Sequence, residues 1–339
     1  MLKHLRYFYG SFFVTLVGII AAIYYVERPT LLVLYLVVIL AILEISLSFD
    51  NAVINAKVLE QMPPLWQKLF IWIGLPIAVF GMRLVFPIIL VNLTTTMSLT
   101  KVIDAALNHP AVYQQALEEG FPMISSFGAA FLLMVFIRFL LSDHEYKWIK
   151  PIENSFIINY LRRVKGASIT IAVIIGIILC AISYLDGLDI YRIMMAYLIG
   201  IIVHEALHVI NHLVGGNVTE GAMRNGLAGF IYLEVLDASF SFDGVIGAFA
   251  ISTNIIIIMI GLGIGAMFVR SLTLYLVAHK TLSRFRYLEH GAHYAIGFLA
   301  VIMLIKIFMH VPEWLTGLVG IGFIIIAVIH SCKKIPSQS

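Results

Sequence analysis

Runs of about twenty consecutive, mostly apolar residues recur along this chain, and no other feature leaves so few folds open. A helix that crosses a bilayer needs about 20 such residues. Ten runs reach that length, at roughly 9–26, 31–56, 66–91, 122–142, 167–185, 191–213, 226–251, 254–278, 291–309 and 313–332. They are continuous rather than alternating, so the expected elements are helices and not barrel strands. Of the 339 residues 61% are hydrophobic and 12% charged, too few polar groups to cover a soluble fold of this size. A cytosolic enzyme, a nucleic-acid binder and a disordered chain are thereby excluded. The expected fold class is all-α and polytopic, embedded in a bilayer. Cys180 and Cys332 lie far apart and form neither a disulfide framework nor a metal-binding CxxC.

The first run follows Lys3 and Arg6, as a signal peptide would. Tyr24, Tyr25 and Glu27 stand where a cleavage site needs small residues, so it is read as a span. With the N-terminus inside, the inner segments hold fifteen Lys or Arg, and the outer ones hold three, Arg28, Lys101 and Arg192. That asymmetry predicts ten spans with both termini cytoplasmic. The longest inner loop, 143–166, is basic and reads as a solvated connector.

The chain also repeats itself. Glu44-Ile-Ser-Leu-Ser-Phe-Asp50 in the second span and Asp237-Ala-Ser-Phe-Ser-Phe-Asp243 in the seventh share one pattern: acid, any residue, Ser, apolar, Ser, Phe, Asp. Downstream, Gly74-Leu75 precedes Arg83 at the spacing by which Gly261-Leu262 precedes Arg270. Arg138 near the end of the fourth span corresponds to Lys306 near the end of the ninth. An offset of five spans sends equivalent helices across the bilayer in opposite directions. The expected architecture is therefore two inverted five-helix repeats, 1–166 and 167–339, with duplicated cores at about 31–142 and 226–309. Such repeats are common in secondary transporters, whose sites lie near the midplane where the halves meet.

A carboxylate at the centre of a membrane helix costs about 2.5–3.5 kcal/mol on insertion scales, so intramembrane acids point to function. Here Glu44, Asp50, Glu234, Asp237 and Asp243 crowd two spans, accompanied by Ser46, Ser48, Asn51, Asn55, Ser239 and Ser241. Converging carboxylates need cations or protons, and oxygen-rich clusters suit Mg²⁺, Ca²⁺ or Mn²⁺. Arg83 and Arg270 offer another solution, a buried ion-pair network, and the two can coexist. Glu44 and Asp50 are six residues apart, and a straight helix would point them about 240° apart. Sharing one site would need a break between them, although no Gly or Pro lies there.

The segments LEISLSFDNAVINA at 43–56, DASFSFDGVIGAFAIST at 237–253 and FRYLEHGAHYAIGFLAVIMLIKI at 285–307 resemble the TerC family of integral membrane proteins, within the broader LysE-like transporter group. The resemblance implies export of Mn²⁺ as the transported ion, through a site of Glu44, Asp50, Asn51, Asp237 and Asp243. Ser46, Ser239, Arg83 and Arg270 would support that site. It also implies a bacterial cytoplasmic membrane as the location. Ca²⁺, Mg²⁺ or Zn²⁺ are alternative cargoes, and proton entry is the expected coupling.

A second motif competes. His204-Glu205-Ala206-Leu207-His208, with His212 one turn on, is an HExxH that on a helix places two zinc ligands beside a general base. An intramembrane zinc protease would need an acidic third ligand later in the chain. Leu185-Asp186-Gly187 comes before the histidines, and at the wrong depth. The blander expectation is a polar stripe lining an inner vestibule or a helix–helix contact, joined by His290 and His293. A third class of function is a non-transporting scaffold for metallation or membrane insertion. GLGIGA at 261–266 reads as a helix-packing surface, and no nucleotide-binding unit is evident.

Overall fold

A computed structural model describes residues 5–25, 30–60, 62–215, 226–249, 251–252, 254–279 and 285–333. Thirteen helices carry the argument: α1 Tyr9–Tyr25, α2 Thr30–Leu47, α3 Phe49–Glu60, α4 Pro64–Trp72, α5 Phe86–Thr94, α6 Leu99–Asn108, α7 Pro110–Leu141, α8 Ala167–Leu185, α9 Ile190–Gly215, α10 Leu227–Phe249, α11 Ile255–Ala278, α12 Leu288–Lys306 and α13 Glu313–Lys333. Two short helices, Lys150–Glu153 and Phe156–Leu161, sit between α7 and α8. No strand occurs among the described residues. Helix closes every backbone bond within its own segment, which a bilayer demands. Lys3, Arg28, Arg224, Lys280, Arg284 and Lys334, which entered the orientation count, lie outside the described residues.

Among the described residues eight helices are long and apolar enough to cross a membrane. Two expected spans fall outside that set for physical reasons. The seventh, α10, carries Glu234, Asp237 and Asp243 within 23 residues. The third is wound in pieces: α4, a short turn at Gly74–Pro76, a π-wound segment at Ile77–Val85, then α5. Pro76 and Pro87 bracket the widened stretch, and each removes a backbone donor that a regular α-ladder would use. The second expected span is also divided, at Ser48. The fourth starts earlier than expected and runs for 32 residues with Pro122 inside it.

Two apolar cores set the position of everything polar. One gathers Val53–Phe70, the 129–137 stretch of α7, Leu233 and Leu236 of α10, and the buried face of α12. The other gathers Val33–Ala41 of α2, Tyr113–Ile124 of α7, Val245–Phe249 of α10 and Ile255–Ile264 of α11. On α2–α3, α7 and α10 a set of buried polar residues, including Glu44, Ser48, Asn51, Ser125, Ser126 and Ser239, lies between the two cores. On α11, Arg270 and Ser271 lie beyond Ile264 and before Leu276, again between the cores. A polar layer thus crosses the bundle between two apolar ones.

Helix α11 packs along α2 and also touches α1, α3 and the π-wound segment. Helix α7 packs against α9, α12 and α10, and α12 against α3 and α13. Several crossings depend on glycine. A methyl added at Gly200 would lie 2.5 Å from the Phe127 carbonyl oxygen and 2.9 Å from Ala130 Cβ. Close backbone approach of this kind substitutes for the hydrophobic drive that lipid removes. Gly200→Ala is expected to lose about 1–3 kcal/mol in thermal unfolding, as overpacked sites do. Gly322→Ala, where nothing lies within 4 Å, should leave the transition unmoved.

Candidate functional site

At the Ser48 junction the backbone ladder continues, Ser48 N–H donating to the Glu44 carbonyl at 2.9 Å and Ala52 N–H to the Ser48 carbonyl at 3.1 Å, so Glu44 and Asp50 stay on different faces. Ser48 Oγ donates to Glu44 Oε1 at 2.8 Å, a side-chain bond one turn back at the helix junction. Arg83, on the π-wound segment, pairs with the same Glu44 oxygen. Both partners are almost wholly buried. Gly265 of α11 allows the approach, because a methyl there would meet Glu44 Cβ at 2.5 Å and the Ala41 carbonyl oxygen at 2.7 Å.

A second pair mirrors the first. Arg270 Nη2 lies 3.2 Å from Asp237 Oδ2 and 3.4 Å from Glu234 Oε1. Its Nη1 donates to the Phe70 carbonyl at 2.5 Å, and its guanidinium lies over the Phe70 ring at 4.1 Å. Asn51 and Asn55, one turn apart on α3, both donate to Asp237 Oδ1, at 2.6 and 2.8 Å. Their amide oxygens are buried without a hydrogen-bond partner, as is Glu234 Oε2.

Between the two pairs lies a cavity of about 20 Å³, enough for one or two waters or a desolvated ion. Glu44, Ser48, Asn51 and Asn55 line it from one face of α2–α3, with Arg83, Asp237 and Arg270 completing its polar wall. So the structure brings Glu44, Asn51, Asp237, Arg83 and Arg270 of the expected set together. Asp50 is buried but off the cavity: its Oδ1 accepts from the Asn51 backbone N–H at 3.0 Å, and Gly320 of α13 faces its carboxylate. Ser46 is half-buried near Gly317 of α13. Ser239 bonds back to the Val235 carbonyl at 2.9 Å. The side chains of Asp243 and His212 lie outside the described residues. Among the described residues no three His, Cys, Asp or Glu side chains converge closely enough to hold a metal ion by themselves.

Asn55 and Glu234 belong to the site although the repeat does not mark them. The signal was helical spacing: Asn55 is four residues after Asn51, and Glu234 three before Asp237, so each shares a face with its neighbour.

The HExxH segment is otherwise engaged. Arg138 Nη2 of α7 donates to both Glu205 oxygens at 2.7 Å. His204 is buried against the Phe131 ring and lies 3.4 Å from Glu205. This is the polar contact between α7 and α9 expected of a helix interface. His293 stacks on Phe139 at 3.8 Å, and His290 lies 3.6 Å from Glu153 of the 143–166 connector.

This is an all-helical polytopic membrane protein with a buried charged layer. The family model described as "Protein of unknown function (DUF475)" matches residues 49–336, and the chain belongs to that family. No curated protein and no solved structure matches it.

Truncating one partner of a buried pair strands the other charge, which typically costs about 3–5 kcal/mol. Arg83→Ala should therefore destabilise the protein by that order in detergent, and adding Glu44→Gln should restore most of the loss. A double variant as unstable as Arg83→Ala would show that the pairing is not what Arg83 provides.

Proposed function

We propose that the protein is a secondary transporter of divalent metal ions, with the cavity between the two arginine–carboxylate pairs as its midplane site. The observation that carries this reading is the repetition of the pairs. Glu44–Arg83 and Asp237–Arg270 join residues that correspond in the duplicated segments. Packing supports the same exchange. The contact of α2 with α11 corresponds to that of α10 with the π-wound segment, and the contact of α3 with α12 to that of α10 with α7. Ten spans in two inverted repeats account for both patterns, with α10 and the interrupted third span each bringing one charged residue to the site, Asp237 and Arg83.

Charge balance favours a doubly charged cargo. Glu44, Glu234 and Asp237 pair with two guanidinium groups, Arg83 and Arg270, and Asp50 is buried further along α3, so these four acids leave two formal negative charges. One divalent cation or two protons would offset them. The cavity is too small for an organic solute, and its free acceptors are oxygens, the donors that hard cations take. In this reading the arginines act as tethered counter-ions. A cation entering the cavity competes with them for Glu44 and Asp237, and they return when it leaves. Ser48 and the amide oxygens of Asn51 and Asn55 replace part of its water shell. Asp50 lies further along the path. Mn²⁺ as the cargo, and export in exchange for protons, follow from the resemblance to the TerC family.

The test is flux into proteoliposomes with Mn²⁺, Mg²⁺, Ca²⁺ and Zn²⁺ compared at equal concentration. Asp237→Asn and Glu44→Gln should each cut Mn²⁺ flux at least about tenfold, the effect of losing roughly 1.4 kcal/mol of cation stabilisation. Asp104→Asn, on α6, should leave it unchanged. Wild-type rates in both site variants would sink the reading.

A further inference from the structure

The connector between α7 and α8 departs from the solvated loop that its charge suggests. Glu153, almost wholly buried, pins it to the bundle. The carboxylate accepts from the backbone N–H of Trp148 at 3.2 Å and of Ile149 at 3.0 Å, and from the Tyr294 hydroxyl at 3.2 Å. Ser155 then caps the helix Phe156–Leu161 by accepting from Ile158 N at 3.2 Å. Arg162 fixes the depth of this helix, because its Nη2 donates to the Leu140 carbonyl in the last turn of α7. Gly166, at φ +76°, turns the chain straight into α8. The short helix is thus held level with the ends of two apolar spans.

At that level it presents apolar groups outward. Phe156 is 85% exposed, Ile157 67% and Tyr160 61%. Positions i, i+1 and i+4 share one side of a helix. In the same connector Lys150, Arg163 and Lys165 are exposed and Lys147 is half-buried, outnumbering the exposed acids Asp143 and Glu145. Arg286 from the loop before α12 reaches the same region, lying 4.9 Å over the Tyr146 ring. Large apolar side chains ringed by cations, at the end of a membrane span, match the headgroup layer of a bilayer on both counts. Aromatic and aliphatic groups enter the boundary while Lys and Arg meet lipid phosphates.

We infer that the Phe156–Leu161 helix and its basic flanks form a lipid-binding surface that seats the connector in the adjoining leaflet and selects anionic headgroups. The partner is the protein's own membrane. Glu153 and Arg162 preorganise the surface, so the leaflet meets a fixed shape rather than a loop that must first be ordered. Because His290 and Tyr294 of α12 touch Glu153, leaflet contact is coupled mechanically to a helix that also packs against α7 and α3.

The test uses the full chain with Cys180→Ser and Cys332→Ser. Ile157→Cys carries an environment-sensitive fluorophore, in nanodiscs of phosphatidylcholine alone or in equal mixture with phosphatidylglycerol. The label should be quenched by lipids bearing a nitroxide near the headgroup and shielded from aqueous iodide. A label at Asp143→Cys, whose side chain is 92% exposed, should behave in the opposite way. Phosphatidylglycerol retained through purification should fall about threefold relative to phosphatidylcholine when Lys147, Lys150, Arg163 and Lys165 are all changed to Gln, since each cation attracts the anionic surface. Free access of iodide to the Ile157→Cys label, or unchanged lipid retention in the quadruple variant, would overturn the inference. So would efficient cross-linking of Ile157→Cys chains to one another in the bilayer, which would make the face a protein contact.

Discussion

Two guanidinium groups, each held against a carboxylate inside an apolar bundle, are the constraint on which the rest of the structure turns. Neither charge of a pair tolerates burial alone. Arg83 and Glu44 must therefore arrive together from different helices, and so must Arg270 and Asp237. That requirement keeps α2, α10, α11 and the π-wound segment in register, and it confines the polar residues to one layer between two apolar cores. The glycines at 74 and 265 follow from it. Gly74 leaves room for Arg270 and Glu234, and Gly265 for Glu44.

The irregularities of the backbone are concentrated in that layer. The chain divides at Ser48 between two acids, and the third span widens around Arg83. A regular helix would aim these side chains by the fixed 3.6-residue period. Through Ser48 the period is kept, and Glu44, Ser48, Asn51 and Asn55, at i, i+4, i+7 and i+11, line one cavity of about 20 Å³ from a single face. In lipid such departures are tolerable only where protein surrounds them, and Glu44, Asn51 and Arg83 are all buried.

Much of this was legible in the residues. Uniform apolar runs placed α8, α9, α11 and α12 to within a few positions, because nothing in those segments competes with helix. The repeated acid-Ser-Ser-Phe-Asp pattern and the paired arginines singled out the helices that meet at the cavity. The break at Ser48 was not legible, since neither Gly nor Pro announces it and the hydroxyl bond to Glu44 exists only once the fold is made. Pro76 and Pro87 stand in the third span, but proline alone does not distinguish a kink from a widened winding. The charge count of the 143–166 connector suggested solvent. Glu153 makes the difference, and its partners Trp148, Ile149 and Tyr294 cannot be inferred from spacing.

The nine residues from Ile77 to Val85 close their backbone rings one residue later than an α-helix does. That surplus residue is a stored quantity of twist. Rewinding the stretch to ordinary pitch would turn everything beyond it by about 100°, one residue's share of a turn. Arg83 sits near the far end of the stretch, so its aim at Glu44 is an angular setting of the coil itself.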